Sequence, residues 1–180
     1  MLIFLLLSVV GLLLYGLIFA CFSGQDQWIA APLKLTLGML AVSLMCYPSL
    51  YIFCCLSGLD LKPSQALAFL TGTITLTSIL LLGFAPVAFI FSMSVNEIVV
   101  MGIIHLAIWA LSVSFGIRLL KNGLFALLKN KPRLISLWSI ILIFTMLQMS
   151  TTLRPLLGTS ANHFQKEKLF FVMHWIDCLD

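Results

Sequence analysis

Pro63–Asn96, PSQALAFLTGTITLTSILLLGFAPVAFIFSMSVN, is a run of 34 residues without one charged side chain, and its reading decides the fold. A transmembrane helix needs about 20 predominantly apolar residues to cross roughly 30 Å of hydrocarbon. The run exceeds one span but falls short of two spans and a turn. It is expected to form a single tilted helix, with Gly83 and Pro86 loosening or ending it in its C-terminal third. Thr71, Thr75 and Ser78 share one face of that helix, with Gly72 nearby. Small hydroxyl residues let helices approach closely and exchange hydrogen bonds, so packing is preferred here over a polar pore lining.

The same absence of charge recurs on both sides. Met1–Gln25, Leu35–Leu59, Ile98–Ile117 and Leu134–Leu153 are four further charge-free windows, each of at least 20 residues. Hydrophobic residues make up 62% of the chain and charged residues 9%, with a mean hydropathy of +1.16. A soluble domain carries about 25% charged residues, so this chain cannot cover its surface for water. In lipid every backbone N–H and C=O must be satisfied within its own segment, which selects helices. The strict alternation of a membrane β-barrel is missing. The expected fold class is therefore all-α, a polytopic membrane helix bundle of about five spans near 2–22, 35–57, 65–92, 98–120 and 135–157. Residues 1–158 would form the bundle and 159–180 an amphipathic C-terminal tail.

Met1–Ala20 reads as an uncleaved first helix: it lacks a basic n-region, and its apolar run exceeds the roughly 7–15 residues of a signal peptide core. Cys21, Cys46, Cys54, Cys55 and Cys178 contain no CxxC, so neither a redox pair nor a zinc site is signalled, and the cysteines near the spans read as packing residues.

Lys and Arg near span ends set orientation. Arg118, Lys121, Lys129, Lys131 and Arg133 flank the fourth connection, placing the 121–134 loop and the N-terminus in the cytoplasm and the C-terminal tail outside. Lys121, Lys129, Lys131 and Arg133 are expected to contact anionic lipid, with Leu124–Leu128 lying in the interface as an apolar segment between cations. So few cations and so little aqueous surface exclude nucleic acid as a partner.

Polar groups inside a span are costly and mark candidate sites. His105 shares a face with Trp109, Ser112 and Gly116, a narrow stripe suited to close packing, and a cross-helix hydrogen bond is its expected role. Pro48 frees the Leu44 carbonyl, so a kink packed against another helix is expected there, with Ser49 re-satisfying the ladder and Tyr51 buried in protein. Thr145, Gln148 and Thr152 make one side of the fifth span polar. Arg154 then snorkels to the headgroups or turns inward to a specific contact, and Pro155 stops or bends the helix. In the tail, Phe164, Phe171, Val172, Trp175 and Leu179 fall on one side of an interfacial helix.

The segments Pro48-Ser49-Leu50-Tyr51-x-Phe53 and Gln148-Met149…Leu153-Arg154-Pro155-x-x-Gly158 resemble those of a family of small polytopic bacterial inner-membrane proteins. That family's pattern has Trp and Phe where this chain has Thr151 and Leu156. The resemblance runs from about Pro32 to Gly158. It implies a bacterial inner membrane and a multi-helix bundle, and it carries no reaction with it.

Enzyme classes lose ground for want of residues: no span holds an Asp or Glu, and there is no HExxH, Gly-rich phosphate loop or Ser–His setting. No metal or other cofactor is implied. A cation-coupled transporter would need an acidic residue at the midplane. The expectation is a non-catalytic membrane subunit, a scaffold, assembly or anchoring component that meets the lipid bilayer and other membrane subunits or further copies of itself. A homo-oligomeric channel or small-solute transporter is the alternative.

Overall fold

In the computed structural model, residues 2–23, 29–94, 98–127 and 133–152 are described. They form five helices and no strand: α1 (Leu2–Ser23), α2 (Ala30–Leu56), α3 (Pro63–Ser94), α4 (Ile98–Ala126) and α5 (Arg133–Thr152). Three stretches, Ala31–Leu56, Pro63–Ser94 and Val100–Ala126, are long and apolar enough to cross a membrane; Leu2–Ile18 and Arg133–Gln148 are shorter apolar stretches.

Local chemistry sets the α2–α3 corner. Gly58 takes φ 81°, a left-handed conformation that costs a residue without Cβ little. This lets the Gly58 N–H reach the Cys55 carbonyl at 3.0 Å and the Leu59 N–H the Cys54 carbonyl at 3.1 Å. Two carbonyls at the end of α2 are thereby satisfied in a Schellman turn, and Leu59 folds back into the core. Four residues on, Pro63 opens α3 at the position where its missing N–H costs nothing. The Gln65 side chain reaches back to accept from the Lys62 N–H at 2.9 Å.

The contacts fix the helix directions. Pro32 lies where a Cβ on Gly16 would be, so α1 and α2 run antiparallel. Gly116 meets Thr73 and Thr77 while Gly123 meets Phe69, so α3 and α4 are antiparallel too. Phe4 lies beside Thr75 and Gly11 beside Ser78, which sets α1 parallel to α3. Trp138 meets Ser49 and Thr145 lies by Cys46, which makes α5 antiparallel to α2. The five helices thus alternate up and down. α3 is central, packed on α1 along one side and on α4 along the other, while α5 rests mainly on α2 and touches α4 little.

Several expectations change. The described part of the 63–96 window is the single helix expected, α3, but it is not ended at Gly83 or Pro86: it continues through both to Ser94, and both face outward, where a lost ladder bond disturbs no packed neighbour. α4 runs past residue 120 to Ala126, and Leu124 is fully buried with Gly123 against Phe69. Residues 124–126 therefore continue a packed helix and do not form a separate interfacial one, and Lys121 lies within α4. α2 begins at Ala30 and carries Lys34 half-buried in its second turn, earlier than charge alone placed it.

Candidate functional site

The polar residues of the spans concentrate along α3 and the two helices that flank it. Thr71, Thr75 and Ser78 are buried on the side toward α1, and Thr73 and Thr77 on the side toward α4. Most of these hydroxyls are spent locally. Thr73 donates to the Phe69 carbonyl at 2.8 Å and Thr77 to the Thr73 carbonyl at 2.9 Å. Ser43, Ser112 and Ser139 do the same one turn back in α2, α4 and α5. A hydroxyl bonded to its own backbone can be buried among apolar groups without leaving a donor exposed to hydrocarbon. Thr75 also reaches across, its Oγ1 lying 3.0 Å from the Phe4 carbonyl and 2.7 Å from the Thr71 carbonyl.

Where α3 meets its neighbours, glycine makes the approach. A Cβ on Gly11 would stand 2.7 Å from Ser78 Oγ, and one on Gly116 would overlap Thr77 Oγ1. Ser78 is fully buried, its Oγ has no hydrogen-bond partner among the described residues, and it faces Gly11 of α1.

His105 of α4 and Tyr15 of α1 form a buried hydrogen bond between side chains of different helices. Tyr15 Oη and His105 Nδ1 are 2.8 Å apart, with the rings edge to face at 5.8 Å and 83°. Both residues are more than nine-tenths buried, Tyr15 at 3% exposure and His105 at 6%. Ser112 and Gly116 of the expected stripe are buried with His105, and Trp109 packs against the core. Tyr15 was not singled out from sequence, since a tyrosine in a first span reads equally well as an interface residue.

The structure places the remaining candidates differently. Pro48 is exposed on the outer side of α2, and the helix continues through it; among the described residues no other helix buries it. The reason lies in the periodicity of the inner face, where Val42, Cys46, Leu50 and Cys54 recur at i, i+4 and leave Pro48 opposite. Tyr51 is half-exposed beside Cys55 rather than buried, and Cys55 itself is exposed. Ser49 donates to the Cys46 carbonyl at 2.8 Å, not to Leu44, and accepts from the Trp138 indole N–H at 3.0 Å. Trp138, fully buried, was missed for want of a pattern pointing from one helix to another. Gln148 is half-buried near the end of α5. Lys129, Lys131, Arg154, Pro155 and the 159–180 tail lie outside the described residues.

Among the described residues no group of His, Cys, Asp and Glu is placed to hold a metal ion. Chemically, the arrangement is a set of hydroxyls mostly bonded to their own helices, with cross-helix side-chain hydrogen bonds at Tyr15–His105 and Trp138–Ser49. Compared with known proteins, the chain matches no family model, no curated protein and no solved structure at a level that shows relatedness.

Proposed function

We propose that the chain is a five-span integral membrane protein that works as a non-catalytic subunit, a scaffold, assembly or anchoring component of a larger membrane complex. One observation carries this: the bundle presents a largely apolar exterior, and the polar side chains of its helices are buried, most of them bonded to their own backbone. Leu44 is 74% exposed, Ile90 63%, Ile140 63% and Phe144 56%, while Tyr15, Ser78, His105 and Ser112 are buried. In water such a surface would aggregate; against acyl chains or partner helices it is stable.

The hydroxyls on α3 and α4 that would line a passage are bonded to their own helices, which favours packing over conduction. The resemblance at Pro48–Phe53 agrees with a bacterial inner membrane, and the cations of the fourth connection with a cytoplasmic 121–134 loop and N-terminus and an outside C-terminal tail. Purification in mild detergent tests the reading. Stoichiometric co-purifying membrane proteins support it. A symmetric assembly of this chain alone, passing solute in liposomes, would replace it with the channel.

A further inference from the structure

The alternation of the helices gathers one end of the bundle from distant parts of the chain: the start of α1, the α2–α3 corner, the end of α4 and the start of α5. Of the six described charged residues, five belong to this end, namely Asp60, Lys62, Arg118, Lys121 and Arg133, and Lys34 belongs to the other. No ion pair joins any of the four cations among the described residues. Arg118 lies over the Phe115 ring at 5.6 Å. Arg133, exposed, is the first residue of α5, beside backbone N–H groups that have no intrahelical acceptor.

Directly inward of Arg133 lies a shallow apolar groove on the outer side of α5, open to its surroundings and lined by Arg133, Leu134, Ser136, Leu137 and Ile140. Ile140 lies seven positions along the helix from Arg133, a rise of about 10 Å toward the middle of the bundle. An occupant that fits must be apolar along its length, reach the groove from the lipid side, and end in an anion at the cationic end.

We infer that this groove is a binding site for one anionic phospholipid, with the phosphate on the Arg133 guanidinium and an acyl chain along Leu134, Leu137 and Ile140. The inference rests on the membrane-spanning reading. The Arg133 fork offers a phosphate two parallel hydrogen bonds, and Ser136 lies one turn in, at the depth of the glycerol esters. Charge complementarity selects the lipid: Arg133, at the end of the bundle that also carries Lys62, Arg118 and Lys121, favours a headgroup of net negative charge over a zwitterionic one, and the groove favours a chain-bearing phosphate over a free one.

Native mass spectrometry of the full chain in detergent, titrated with phosphatidylglycerol, phosphatidylcholine or glycerol 3-phosphate, tests it. The wild type is expected to prefer phosphatidylglycerol. Arg133→Gln should weaken that lipid about fivefold and phosphatidylcholine by less, so that the preference between them narrows. Leu137→Ala with Ile140→Ala should weaken both lipids alike, and glycerol 3-phosphate should not bind at lipid concentrations. Undiminished phosphatidylglycerol binding in Arg133→Gln would overturn the site, as would glycerol 3-phosphate binding as well as the lipid. Carbonate extraction separates the two readings: wild-type chain released from membranes overturns the spanning reading itself, while retained chain with no lipid preference overturns only the groove.

Discussion

The Trp138 indole N–H donates to Ser49 Oγ at 3.0 Å, and the Ser49 hydroxyl in turn donates to the Cys46 carbonyl at 2.8 Å. The two bonds point the same way, so each polarises the other, and together they pin α5 to α2. α5 has little other support, since it barely meets α4.

Trp138→Phe keeps the buried ring and removes only the donor. In a double-mutant cycle with Ser49→Ala, read by unfolding in mixed micelles, a coupling of about 0.6–1.7 kcal/mol is expected. A coupling near zero would mean that ring packing alone holds α5.

The glycines grade the helix contacts. A Cβ on Gly16 would overlap the backbone of Pro32, which cannot move without moving α2. At Gly123 it would stand 2.6 Å from a ring carbon of Phe69, which can rotate aside, and at Gly72 it would meet nothing within 4 Å. Alanine should therefore cost about 1–3 kcal/mol at position 16, less at 123, and stabilise by up to about 1 kcal/mol at 72, in the same unfolding assay. Equal effects at 16 and 72 would contradict the close α1–α2 approach.

Tyr15→Phe strips the hydroxyl from His105 Nδ1 and is expected to destabilise by about 1–3 kcal/mol, because a buried polar atom loses its cross-helix bond. Replacing both partners, Tyr15→Phe with His105→Leu, should recover much of the loss. A double variant that is as stable as wild type but loses assembly or transport would move the pair from packing to function.

Thiol accessibility reads the arrangement of the bundle. In detergent a small maleimide should modify Cys55 and spare Cys46 and Cys54, which are buried. In cells, with the native cysteines removed, Lys62→Cys and Lys121→Cys should label from one side of the membrane and Lys34→Cys from the other. Labelling of positions 34 and 62 from the same side would break the alternation of α2.

Charge-free length was enough to read five helices, because in lipid the backbone allows little else over 20 apolar residues. The same logic misplaced their ends. Lys34 and Lys121 looked like loop residues because they are charged, yet long cationic stems ride along a helix while their heads reach polar surroundings. His105 was legible as a buried polar group; its partner Tyr15 was not, because partner choice depends on which helices are neighbours. The Pro48 and Tyr51 side chains were expected inside on chemical grounds, but the helical phase of Cys46, Leu50 and Cys54 decides that face. That phase is written in the sequence, in residues that draw less notice than a proline.

The parallel placement of α1 against α3 has a consequence for biosynthesis. Gly11 and Ser78, which meet in the finished bundle, are made 67 residues apart. At roughly 5–20 residues per second, α1 exists for about 3–13 s before the surface that matches it emerges. During that interval only α2 can cover it, through the Gly16–Pro32 approach, and the Gly11 side stays open to whatever small-residue helix is near. The α1–α2 hairpin thus forms before the surface that α1 finally meets on α3, and a nascent chain stalled before residue 78 is where mispairing with other membrane proteins would begin.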